Sequence, residues 1–87
     1  MQHQSHTQRS LSQATLLILA NQVDEPKTAT TLHEAVVQAT GLVIEPEMFS
    51  RTLAHLEQRG WIEALMTDHP LRLYRITAPG LLAFERA

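Results

Sequence analysis

Hydrophobic positions recur at helical spacing through the first two thirds of the chain and then switch to a strand pattern. Leu11, Ala14, Leu17 and Ile18 mark one face of a first helix reaching to about Val23, with Leu16, Leu19 and Ala20 widening that face and Ser10 or Ser12 as its cap. Asp24-Glu25-Pro26-Lys27 breaks it, because proline cannot continue a helix interior and pushes the preceding residue toward extended geometry. A loop is expected to Thr30. Thr31 and Glu34 have the spacing of a capping box for a second helix over residues 31–40, with Leu32, Ala35, Val36 and Ala39 on its apolar face and Gly41 just past its end. A third helix over residues 46–59 opens on Pro46, whose missing N–H costs nothing at a first helical position, buries Phe49, Leu53 and Leu56, and ends at Gly60.

From Trp61 the pattern becomes that of a hairpin: Trp61 to Met66, a turn at Thr67-Asp68-His69-Pro70, then Leu71 to Ile76. Thr77 is placed to cap a final helix with Pro79 near its start, Leu81, Leu82 and Phe84 on its apolar side, and Gly80 in its first turn at little cost. Two consecutive helices followed at once by a two-stranded ribbon make a helix-turn-helix with a wing. The expected class is therefore mainly α with a small β-hairpin: three helices, a two-stranded wing over residues 61–76 and a short C-terminal helix. Residues 1–9, nearly devoid of apolar side chains, are expected to be a disordered polar tail, and residues 10–87 a single domain.

Composition sharpens this picture in three ways. A chain of 87 residues without cysteine has no disulfide to supplement its small core, so a partner subunit is a natural source of further buried area. The absence of cysteine and of a signal-peptide or membrane-spanning pattern points to the cytoplasm. The formal net charge of −2 argues against coating nucleic acid by bulk electrostatics, which demands an excess of Lys and Arg, so any DNA binding must rest on a local arrangement. Even that arrangement is lean: between Pro46 and Thr77, Arg51, Arg59, Arg72 and Arg75 are matched by Glu47, Glu57, Glu63 and Asp68.

A recognition helix turns its N-terminal residues toward base edges while flanking groups hold phosphate. On that logic Ser50, Arg51 and His55 are the helix candidates, Arg51 being able to donate two hydrogen bonds to guanine, or else to pair with Glu47 one turn earlier. On the wing the candidates are His69 at the hairpin tip and Arg72 and Arg75, whose opposite parity places them on different faces of the ribbon. Tyr74 shares parity with Ile76 and reads as a core-facing aromatic, and Trp61 as core or interface. Leu11, Leu17, Ile18, Leu82 and Phe84 are the candidates for a homodimer interface. His3 and His6 have metal-like spacing without further ligands, and His33-Glu34 lacks the second histidine of the H-E-x-x-H zinc pattern, so no metal is expected and His33 reads as solvent-facing.

The segment Leu53 to Ile62, of the form L-x-x-L-E-x-x-G-hydrophobic-Ile, and the segment Tyr74 to Gly80, of the form Y-R-hydrophobic-T-x-x-G, bracket the hairpin. Together they resemble the PadR-like group of winged-helix transcriptional regulators, and MarR-like regulators share the first of the two. The resemblance covers about a third of the chain. It implies a dimeric regulator of transcription, most often a repressor, on double-stranded DNA with half-sites about one helical turn apart. The sequence departs from the family where the recognition helix opens: Glu47-Met48-Phe49-Ser50 stands where PadR-like proteins have Gly-Thr-Leu-Tyr. It also ends shortly after Thr77, where the family commonly has a long dimerising helix, so the first helix is expected to carry more of the subunit contact. PadR-like proteins can sense small molecules, but no residue here specifies an effector.

The competing reading is a winged-helix module that docks on another protein, without intrinsic DNA binding, through the first helix and Trp61; fold alone does not decide between the two. Catalysis is not expected, since no nucleophile-base pair, metal cluster or glycine-rich phosphate loop appears, and no cofactor is implied.

Overall fold

The computed structural model describes residues 2–66 and 72–86, with residues 2–9 as backbone only. Helix α1 spans Gln2–Asn21, so it extends through the segment expected to be a tail. No proline or glycine interrupts the sequence before Asn21, and its glutamines are good helix formers. The helix closes with Gln22 N–H donating to Leu19 O at 3.2 Å and Glu25 N–H to Gln22 O at 3.0 Å, ahead of Pro26.

The buried side of α1 is rotated from the expected stripe. Leu11, Thr15, Leu16 and Leu19 are buried, whereas Leu17 is 42% exposed. Thr15 tolerates the core because its hydroxyl donates to Leu11 O at 2.7 Å, satisfying inside the helix the one polar group that burial would otherwise orphan.

Strand β1, Lys27–Thr28, falls where only a loop was expected. It pairs antiparallel with β3, Arg72–Ile76, in the register Lys27 to Tyr74 and Thr28 to Leu73. β3 also pairs antiparallel with β2, Ile62–Met66, so the two-stranded wing is part of a three-stranded sheet of order β1-β3-β2. Two residues are too few to show a period of two, and β1 exists because β3 offers it an edge.

Helix α2 spans Ala29–Thr40, starting two residues before the expected capping box. The cap is Thr28, in extended geometry, whose hydroxyl oxygen accepts from Thr31 N–H at 3.2 Å and donates to the Thr31 hydroxyl at 3.0 Å. Glu34 is exposed instead. Replacing Thr28 by Ala is expected to lower unfolding free energy by about 1 kcal/mol in a urea titration. A larger loss from Thr31→Ala than from Thr28→Ala would contradict this assignment.

α2 buries Leu32 and Val36 and ends as expected at Gly41, whose φ of 71° is the left-handed geometry a side chain would resist. Helix α3, Pro46–Gln58, buries Phe49, Thr52, Leu53 and Leu56. It closes in a Schellman arrangement: Gly60, at φ 76°, donates its N–H to Glu57 O at 2.9 Å, and Trp61 N–H reaches Leu56 O at 3.0 Å.

Helix α4 spans Ala78–Arg86. Thr77 anchors it from both sides, accepting Gly80 N–H on its hydroxyl oxygen at 3.1 Å, donating that hydroxyl to Gly60 O at 2.6 Å, and donating its own N–H to Trp61 O at 3.0 Å. Gly80 is a packing requirement, contrary to its expected indifference. A methyl group there would overlap the Trp61 carbonyl oxygen and lie 2.8 Å from Cγ1 of Ile76. Leu11, Leu19, Leu32, Val36, Leu56 and Ile62 form the most deeply buried centre, with Leu81 and Phe84 of α4 packed at its margin. Among the described residues no helix is long and apolar enough to cross a membrane.

Candidate nucleic-acid interface

The orientation of α3 follows from its apolar stripe. With about 100° between successive residues, burying Phe49, Leu53 and Leu56 turns Glu47, Arg51, Ala54 and Gln58 directly away from the core, and all four are exposed. Ser50 and His55 are also exposed, but they sit on opposite flanks of that line. The structure thus brings Arg51 to the centre of the outward face with Ser50 to one side and His55 to the other. Glu47 and Gln58 complete the centre line and were not among the expected contacts. The helical period locates both, but chemistry-based selection favours cations and passes over them.

His55 is engaged locally. Its Nε2 accepts from Arg59 Nε–H at 3.0 Å, which requires the neutral ring with its proton on Nδ1. The Arg59 guanidinium in turn lies 5.1 Å from the centroid of the Trp61 ring, a cation–π stack at the foot of the wing. Arg59 is thus an exposed cation beside the outward face of α3 that was not among the expected contacts. The signal available was its place beside Gly60 and Trp61, where a tight turn folds the arginine over the indole.

The turn into α3 is held by a residue expected to face solvent. His33 is partly buried, its Nε2 lies 2.7 Å from Ile44 O, and its ring meets that of Phe49 edge-on with centroids 5.3 Å apart. The expectation failed because the burial of His33 depends on the connector of residues 41–45 folding back over α2, which no pattern inside α2 encodes. Outside this clamp, Leu42 and Met48 are exposed and Val43 is 100% exposed.

On the wing, strand parity separates the two arginines as expected. Tyr74 and Ile76 are buried against the core, and Arg72 shares their parity but lies exposed at the distal end of β3, opposite Met66. Arg75 faces the other way, directly across from Glu63, and its Nε donates to Glu63 Oε1 at 2.5 Å. Both side chains are about half exposed, so the pair contributes little to stability, but it neutralises Arg75 at the proximal end of the hairpin. His69 lies outside the described residues, as do the side chains of His3 and His6. Among the described residues no three His, Asp or Glu side chains converge as a metal site would require.

The expected dimer residues also separate. Leu11 is fully buried within its own chain, so it is a core residue and is corrected from the interface set. It faces the core because the rotated stripe of α1 includes it. Leu17 and Leu82 are exposed at 42% and 55%, and Ile18 and Phe84 are partly covered. Leu17 and Phe84 border a groove of about 440 Å³ between α1 and α4, together with Ser10, Gln13 and Ala14.

Helix-turn-helix, hairpin and the added third strand define a winged-helix domain. Solved structures share this fold at low identity. A MarR-family transcriptional regulator from Silicibacter pomeroyi superposes with a TM-score of 0.73 at 21% identity, over 88% of this chain and 47% of that one. A PadR-family transcriptional regulator from Eggerthella lenta gives 0.66 at 23% identity, over 83% and 65%. ZitR of Lactococcus lactis, solved in complex with DNA, gives 0.67 at 19% identity, over 87% and 47%. The chain thus spans less than two thirds of each of these three proteins. The PadR-like resemblance holds for the frame, which MarR-family structures share equally. No protein-family model and no curated protein matches the sequence.

Proposed function

We propose that this chain is a DNA-binding transcriptional regulator, acting as a dimeric repressor that presents α3 to the major groove and the hairpin to the flanking backbone. The observation that carries the proposal is Arg51 at the centre of an exposed face of α3, on a fold that ZitR displays bound to DNA. The exposed Leu17 and Leu82 and the groove between α1 and α4 support a second copy as the partner, with Ile18 and Phe84 at its edge. Ser50, Arg72 and the Arg59 stacked on Trp61 supply phosphate contacts beside Arg51.

The test is binding to duplex DNA across a salt series. Affinity is expected to fall steeply with salt, the logarithmic slope being about −0.9 for each phosphate neutralised. Arg51→Ala is expected to weaken binding to the preferred sequence about tenfold. A wild-type chain that binds no duplex at low salt would refute the proposal. That result would favour the protein-docking alternative, for which the exposed Leu42, Val43 and Met48 beside α3 are the supporting observation.

A further inference from the structure

Glu47 poses a problem for any DNA-binding reading. It lies in the first turn of α3, on the line directly opposite the buried stripe, and it is exposed. The first turn of a recognition helix comes nearest the base edges, and a carboxylate there enters a groove walled by phosphates. Repulsion alone would make Glu47 the worst-placed residue of the face. A carboxylate has one favourable use in the major groove, which is to accept a hydrogen bond from the exocyclic amine of cytosine, since the other bases present acceptors or paired acceptor and donor groups that it matches less well.

Arg51 stands one turn further along the same line, and among the described residues no ion pair joins the two side chains, although their spacing would permit one. Four helical residues advance about 6 Å, and successive base pairs are about 3.4 Å apart, so the two side chains address base pairs one or two steps from each other.

Resting on the DNA-binding reading above, we infer that Glu47 is a specificity-determining residue that selects cytosine, and that with Arg51 selecting guanine it makes each half-site G·C-bearing at two nearby positions. The formal neutrality of this face then has a consequence. The carboxylate penalises every sequence lacking a cytosine amine at its position, so low non-specific affinity and discrimination come from the same residue.

The local alternative is that Glu47 serves only the N-terminus of its own helix, where a carboxylate is favourable. Base preference distinguishes the two roles, because a residue acting on the helix alone does not move it. Wild-type, Glu47→Gln and Arg51→Ala proteins would each be used to select from a randomised duplex library at low salt, with circular dichroism melts checking that the variants fold. The wild type is expected to enrich a cytosine at one position of each half-site. Glu47→Gln is expected to replace it with adenine, the base whose N6 and N7 a glutamine amide matches, and to lose roughly tenfold on the wild-type site while gaining affinity for random duplex. Enrichment of the same sequence by wild type and Glu47→Gln, with affinity raised uniformly, would overturn the inference and leave the DNA-binding reading standing. A wild type that enriches no sequence because it binds no duplex would overturn both.

Discussion

Gly80→Ala is expected to destabilise the domain by about 3 kcal/mol, the upper end of what overpacking usually costs and a large share of the stability available to a domain of this size. At an exposed helix position the same change usually stabilises, by about 0.4–1 kcal/mol, through the unfolded chain, so even the sign tests the structure. The added methyl meets backbone, the Trp61 carbonyl already engaged by Thr77 N–H, and the Cγ1 of Ile76. The carbonyl cannot swing aside without moving the α3–β2 junction. A shift of the urea midpoint to lower concentration, with unchanged slope, is the expected result. An unchanged or raised midpoint would show that α4 does not dock on Trp61 as described.

The second large effect separates the core from the proposed subunit interface. Leu11→Ala removes a fully buried side chain and is expected to cost about 2–5 kcal/mol, by the same amount at every protein concentration, because the contacts it loses are within one chain. Leu82→Glu changes an exposed residue of α4 and is expected to leave the unfolding of the monomer nearly unchanged while lowering the mass measured by light scattering from that of a dimer to that of one chain. A destabilisation by Leu11→Ala that disappeared on dilution below the dimer dissociation range would return Leu11 to the interface.

Leu11 also shows where pattern and packing part company. Along α1 every position from Leu16 to Ala20 is apolar, so the 3.6-residue period leaves several faces equally hydrophobic, and a buried threonine that satisfies its own hydroxyl conceals the true one. In α3 the apolar positions are few and regularly spaced, and Phe49, Leu53 and Leu56 are buried as the pattern requires. The outward face of that helix was accordingly legible, with Arg51 at its centre. The states of its neighbours were not: His55 receives a hydrogen bond from Arg59, and Arg75 is paired with Glu63 across the hairpin, contacts set by a turn and a strand register.

By itself the sequence determined the features that depend on a few consecutive residues. Pro46 starts α3, Gly41 and Gly60 take the left-handed geometry that ends their helices, Thr77 caps α4, and alternation in the hairpin sends Tyr74 inward and Arg75 outward. Only the tertiary structure decided that Lys27–Thr28 is a strand, that Thr28 rather than Thr31 caps α2, that His33 clamps the connector ahead of α3, and that Gly80 admits no side chain. The strand, the clamp and the close approach at Gly80 are contacts between separated segments, whose partner is supplied by the packed fold, and the cap moves to Thr28 because pairing with β3 holds that residue extended. The physical reason is range: backbone torsion and helix capping act over one turn, while burial and close approach belong to whichever surface the folded chain brings alongside.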